Sequence, residues 1–76
     1  MNNDRRKALN ALIGKVEELK SELENLQSEE QDYVDNMPEN LQGSEKYEKA
    51  SEAADSLQSA VDSLDEVIDN INNASE

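Results

Sequence analysis

Acidic side chains recur along the second half of the chain at intervals that would place them on one face of an α-helix. The intervals alternate between three and four residues, which is the spacing of side chains that lie above one another on a helix. The row consists of Glu45, Glu48, Glu52, Asp55, Ser59, Asp62, Glu66 and Asp69. No lysine or arginine follows Lys49, so cations do not offset most of these carboxylates. Such a row could ligate a divalent cation or present a line of negative charge to a basic surface.

Metal binding and catalysis find little support in the residues around this row. A straight helix spreads its carboxylates too far apart for a closed oxygen cage, and the chain has no Asp-x-Asp-x-Asp-Gly loop of the calcium-binding kind. The chain contains neither cysteine nor histidine, so it has no thiolate, no disulfide and no imidazole ligand. No histidine or lysine base stands near the serines of the second half, Ser51, Ser56, Ser59 and Ser63. We therefore expect no metal, no cofactor and no enzymatic activity.

The acidic row is open to two interpretations. As a solvated face it would keep a small protein soluble, which is the usual role of an acidic helix surface. A binding role is favoured by two features: carboxylates without lysines one turn away repel one another, and Asp and Ser are weaker helix formers than Glu and Lys. A rigid line of negative charge resembles a phosphate backbone and would compete for a basic nucleic-acid-binding channel.

The overall charge indicates the same class of partner. The 76 residues carry 19 acidic and 7 basic side chains, for a net charge of -12. Such a chain repels nucleic acid and anionic membranes and attracts basic proteins, so we expect no direct binding to nucleic acid or to a membrane. No apolar run reaches the length of a signal peptide or a membrane span, which makes a cytoplasmic location the expectation.

A hinge near the middle of the chain separates two helical patterns. Pro38 lacks a backbone donor and pushes Met37 out of the helical region, whereas Gly43 can adopt a positive φ and Ser44 is a good N-cap. We expect a first helix over residues 4–35, a hinge over 36–43 that includes a short turn, and a second helix over 44–73. High charge and few aromatics would also suit a disordered chain, but the periodicity favours a folded one.

Both helices show the heptad pattern of a coiled coil. On the first helix Leu9 opens position a, and the a and d positions are Leu9, Leu12, Val16, Leu19, Leu23, Leu26, Glu30, Tyr33 and Met37. On the second helix they are Tyr47, Ala50, Ala54, Leu57, Val61, Leu64, Ile68 and Ile71. The pattern therefore predicts an all-α fold with two amphipathic helices.

The two patterns match when the chain is folded back about Asn40. The predicted layers are Leu9 with Ile71, Leu12 with Ile68, Val16 with Leu64, Leu19 with Val61, Leu23 with Leu57, Leu26 with Ala54, Glu30 with Ala50 and Tyr33 with Tyr47. Each layer joins an a position of one helix to a d position of the other, as in an antiparallel coiled coil with a short connection. The sequence thus predicts one domain over residues 1–76, an antiparallel two-helix hairpin.

A second apolar row on the second helix predicts self-association. The row consists of Ala53, Ala60, Val67 and Ala74, at position g. Its small side chains would let another helix approach closely, and the interior of a lone hairpin is thin for a chain of this size. We expect a two-fold dimer that forms a four-helix bundle. Ile13 and Val34, at position e of the first helix, lie on the opposite flank.

The stretch over residues 29–46, with Asp-Asn-Met-Pro-Glu at its centre, lies between an acidic leucine-heptad helix and an acidic alanine-rich one. In this arrangement the chain resembles small acidic accessory proteins of bacteriophages and prophages. Small acidic proteins of that kind include inhibitors of host defence, among them anti-CRISPR proteins. The resemblance implies a protein of the bacterial host cytoplasm, but it assigns no functional residue.

Two functions follow as hypotheses. The first is a non-enzymatic inhibitor whose acidic row occupies the basic nucleic-acid-binding surface of a host defence protein, such as a CRISPR effector nuclease. The second is a structural or adaptor protein that binds a partner helix through its apolar face. Salt separates the two, because binding through charge weakens with salt and binding through apolar side chains does not.

Overall fold

The computed structural model describes residues 1–76 as two long antiparallel helices joined by a short connection. Helix α1 spans Asn3–Asp35 and helix α2 spans Glu45–Ala74. Between them, Glu39–Leu41 forms a single turn of 3₁₀ helix. The prediction of an all-α helical hairpin is confirmed, and the bounds of both helices lie within one residue of the predicted ones.

Local capping residues explain where the helices begin and end. The Asn2 side chain accepts a hydrogen bond from the backbone N–H of Arg5 at 2.8 Å, and the Ser44 hydroxyl accepts one from the N–H of Tyr47 at 3.3 Å. At the end of α1, Asn36 donates its side-chain N–H to the carbonyl of Asp32 at 2.8 Å. These bonds satisfy backbone groups that have no partner inside the helix.

The chain reverses direction at the hinge without a residue in the left-handed region, although Gly43 could have adopted a positive φ. Pro38 is extended, with φ of -57° and ψ of 146°, and the next turn closes through a 2.9 Å hydrogen bond from Leu41 N–H to the Pro38 carbonyl. No residue of the chain, Gly43 included, has a positive φ. The reversal uses ordinary right-handed and extended backbone because Pro38 and the 3₁₀ turn already redirect the chain.

The α2 side of the helix interface agrees with the prediction. Ala50, Ala54 and Val61 are buried there, with Ala54 only 1% exposed. The remaining predicted a and d residues of α2 are half-buried: Tyr47, Leu57, Leu64, Ile68 and Ile71. The apolar stripe of α2 therefore faces α1 along the whole helix.

The α1 side departs from the prediction, because α1 is rotated relative to the expected heptad register. Half of the predicted interface stays exposed: Leu12 at 45%, Leu19 at 54%, Leu26 at 53% and Tyr33 at 45%. The more buried residues of α1 are instead mainly the a positions and the neighbouring e positions: Arg6, Leu9, Ile13, Val16, Lys20, Leu23, Gln27, Glu30 and Val34. Four predicted layers, those of Leu12, Leu19, Leu26 and Tyr33, are therefore wrong on the α1 side.

The rotation has a physical reason in the side chains that it buries. Val34 becomes 5% exposed, and the small residues Ala50 and Ala54 in the facing half of α2 are 7% and 1% exposed, so a branched side chain and small ones share the buried part of the interface. Farther along α1 the rotation brings the Lys20 ammonium onto the carboxylate of Asp65 on α2. Burial of this branched side chain and, to a smaller extent, the ion pair between the helices offset part of the apolar burial that the leucines give up.

Candidate interaction surfaces

The acidic row forms a continuous exposed stripe along α2. We call Glu45, Glu48, Glu52, Asp55, Asp62, Glu66 and Asp69 the acidic stripe, and every member is exposed. Only Glu45 makes an ion pair, at 3.1 Å from Lys49 one turn away. Asp62 accepts a hydrogen bond from the side chain of Gln58 at 3.2 Å. The other carboxylates of the stripe are left to solvent, as the sequence predicts.

The carboxylates of the protein do not form a metal centre, because no three or more of them converge on a common point. A hydrogen bond to Asp65 raises the pKa of the Lys20 ammonium above its usual value of about 10.5, and the charge of Glu24, 3.7 Å away, adds to the rise. This cation therefore forms an ion pair between the two helices of the fold.

A row of large apolar side chains on α1 is the most unusual feature of the surface. Leu12, Leu19, Leu26 and Tyr33, which we call the leucine row, follow one another at heptad spacing and are 45–54% exposed. The residues predicted for self-association, Ala53, Ala60, Val67 and Ala74, form the alanine row of α2. Val67 is 40% exposed, Ala60 is half-buried and the other two are exposed.

A contact at the hinge shows that the two rows lie on the same side of the hairpin. The Lys46 ammonium lies 5.9 Å from the centroid of the Tyr33 ring. Lys46 precedes Ala53 by one heptad and so continues the alanine row, while Tyr33 ends the leucine row. The leucine row and the alanine row therefore form one continuous surface, which we call the apolar face.

The acidic stripe points away from the apolar face. At 100° per residue, the stripe lies roughly 100 to 160° around α2 from the alanine row. The Lys20–Asp65 ion pair bridges the helices along the flank opposite the apolar face. A partner bound to the apolar face would therefore leave the acidic stripe free.

A small cleft continues the apolar face at the hinge end. Its volume is about 210 Å³, and it is lined by Asp32, Tyr33, Asn36, Met37, Pro38, Leu41 and Lys46. Of its apolar lining residues, Leu41 is 42% exposed, whereas Met37 is buried. The cleft could receive one apolar side chain of a partner, with the Lys46 ammonium at its rim.

Sequence reasoning placed the alanine row correctly on the surface but missed the leucine row, which it assigned to the helix interface. One signal could have indicated the leucine row: Ile13 and Val34 offer α1 a second apolar edge beside its a positions.

At the open end of the hairpin, Arg6 donates to the backbone carbonyl of Glu76 at 3.5 Å. This contact joins the start of α1 to the C-terminal end of the chain.

Neither helix offers a stretch with the length and hydropathy that a crossing of the bilayer requires. Comparison with protein-family models, with curated proteins and with solved structures found no match for the chain.

Proposed function

We propose that the chain is a non-enzymatic interaction protein that binds an apolar helix through its apolar face. The observation that carries this proposal is the exposure of the leucine row, with Leu19 and Leu26 more than half exposed in the hairpin. Contiguous exposed apolar side chains on a small protein mark a surface that another protein covers. Heptad spacing fits a helical partner, because knobs from such a helix would meet the leucine row at every second turn.

The test compares matched variants of α1 as immobilised baits. In one bait Leu19→Glu and Leu26→Glu place charges on the apolar face; in the control Ser21→Glu and Ser28→Glu place the same charges on exposed positions away from it. We expect the leucine variant to lose the proteins that the wild type retains, including a differently tagged copy of the chain. The control should retain the same proteins as the wild type. Both variants should remain helical by circular dichroism, because neither changes a buried residue. Equal retention by both baits would contradict the proposal.

The acidic stripe supports a second candidate function, inhibition of a nucleic-acid-binding host protein by charge mimicry. The specific observation is that six of its seven carboxylates make no ion pair and all are exposed along one helix. A basic nucleic-acid channel would receive such a line of charge in place of phosphates. The resemblance to phage accessory proteins suggests a defence protein, for instance a CRISPR effector, as the target.

Charge reversal tests this second function. Asp55, Asp62, Glu66 and Asp69 are changed to lysine, and the control changes four exposed acids of α1, Asp4, Glu17, Glu18 and Asp35, in the same way. We expect the first variant alone to lose inhibition of effector cleavage, and wild-type inhibition to weaken steeply as salt rises. Inhibition that survives the reversal on α2 would rule out mimicry by the stripe.

A further inference from the structure

We propose that the occupant of the apolar face is a second copy of this chain, placed so that the leucine row of each copy packs on the alanine row of the other. The inference rests on the proposed function, because it names the partner for the same surface. It goes further in specifying the symmetry axis, the side chains that meet, and the end at which the two hinges lie.

The Tyr33–Lys46 contact sets which residues share a level along the hairpin. Because the helices are antiparallel, one heptad back along α1 corresponds to one heptad forward along α2. The levels are therefore Leu26 with Ala53, Leu19 with Ala60 and Leu12 with Val67. At each level one large side chain lies beside a smaller one on the same face.

A two-fold axis parallel to the helices places the large side chains of each copy opposite the smaller side chains of the other copy at the same level. The axis places α1 of one copy over α2 of the other without shifting it lengthwise, so Leu19 meets Ala60 and Leu26 meets Ala53 across the interface. Large side chains opposite small ones allow even packing, and every neighbouring pair of helices becomes antiparallel. An axis perpendicular to the helices would instead pack leucine on leucine between the two α1 helices and alanine on alanine between the two α2 helices. The α1 helices would then have to lie farther apart than the α2 helices.

The charges on this face favour a second copy in spite of the net charge of -12. Apart from Asp32 in the hinge cleft, the apolar face and its two edges carry four basic side chains, Arg5, Lys15, Lys46 and Lys49, and two acidic ones, Glu22 and Glu29. The outer edge of α2 here is Lys49, Ser56, Ser63 and Asn70, with no carboxylate. In the proposed dimer Glu29 lies at the level of Lys49, and Glu22 at the level of Ser56. No carboxylate therefore opposes another, while both acidic stripes stay outside the bundle.

The size of the face is adequate for a dimer. The Cα atoms extend over 59 Å along the hairpin and 15 Å across it. A face of those dimensions is comparable to the about 800 Å² per partner that stable protein interfaces bury.

The hinge is the place to test the arrangement, because the chain has no cysteine and Asn40 is exposed there. A spin label on Asn40→Cys allows the label-to-label distance to be measured by pulsed electron paramagnetic resonance, alongside the mass by sedimentation equilibrium. We expect twice the 8.5 kDa chain mass, and a distance within about two helix diameters, roughly 20–25 Å. Adding Leu19→Glu should abolish the dipolar signal, and adding Ser21→Glu should leave it.

Two results would overturn the inference. A distance near the 59 Å length of the molecule would place the hinges at opposite ends and refute the packing of leucine row on alanine row. A mass of 8.5 kDa without dipolar signal would refute the second copy as occupant. In either case the proposed function is tested separately. It depends on whether the bait with Leu19→Glu and Leu26→Glu loses the proteins that the wild type retains.

Discussion

Lys20 illustrates how a single polar residue can take part in an interface between helices. Its stem lies along the edge of α1 that faces α2, and its ammonium reaches both Asp65 across the interface and Glu24 one turn away. A long side chain of this kind buries its methylene groups while the charge stays near water. The residue therefore belongs to the interface although its type suggests the surface.

The stability that Lys20 contributes should depend on pH in the alkaline range. Because Asp65 raises the pKa of the ammonium in the folded chain, the contribution is complete below the ordinary lysine pKa of about 10.5 and is lost as pH rises through the higher folded value. We expect Lys20→Met to be less stable than the wild type at neutral pH and the difference to shrink above pH of about 10.5. Urea unfolding at several pH values measures this. Lys7→Met, which removes an exposed lysine that makes no ion pair, should show no such convergence.

At the scale of the elements, sequence alone predicted the two helices and their hinge but not the rotation of α1. Capping by Ser44 and the break at Pro38 are local signals, and local signals can be read from a few neighbouring residues. The rotation depends instead on which residues of α1 pack against the apolar stripe of α2, where Ala54 is 1% exposed, and that is a property of the packed pair. Because α1 has apolar residues on three adjacent rows, the heptad pattern does not decide between them. The placement of the leucine row, and with it the candidate binding surface, could not be read from the pattern.

A matched pair of leucines on α1 tests the rotation. Leu23 is half-buried at the interface, whereas Leu26 is 53% exposed, yet the predicted heptad assigned both to the interface. We expect Leu23→Ala to lower the free energy of unfolding by about 2 kcal/mol and Leu26→Ala by less than about 1 kcal/mol. Both changes alter helix propensity equally, so the difference reports burial. Denaturant unfolding at low protein concentration, where association is avoided, measures the free energy of unfolding of each variant. Equal decreases in the two variants would favour the unrotated register.

At the scale of the whole molecule, the charge distribution sets opposite salt responses for the two surfaces. The acidic stripe lies on the outside of the hairpin and would attract a basic partner most strongly in low salt. Two copies that meet at the apolar face each carry a net charge of -12 and repel one another until salt screens them.

Self-association should therefore strengthen as salt is raised. Screening at physiological ionic strength limits the repulsion to about 8 Å, so we expect a larger dimer fraction at moderate than at low salt. Sedimentation equilibrium at micromolar concentration measures the fraction. Val67→Glu, which adds a charge to the apolar face, should keep the chain monomeric in both buffers. Dimerisation that weakens with salt would indicate that ion pairs, not the apolar face, hold the copies together.

The placement of the two tyrosines gives the molecule a built-in optical probe of one end. Tyr33 and Tyr47 lie beside the hinge, and the chain has no tryptophan or phenylalanine. Near-ultraviolet absorbance and intrinsic fluorescence therefore originate at the hinge end of a molecule 59 Å long. Opening of the other end, where Arg6 meets Glu76, would lower the far-ultraviolet helical signal without altering the tyrosine signal. Recording both signals during heating would thus reveal which end of the hairpin opens first.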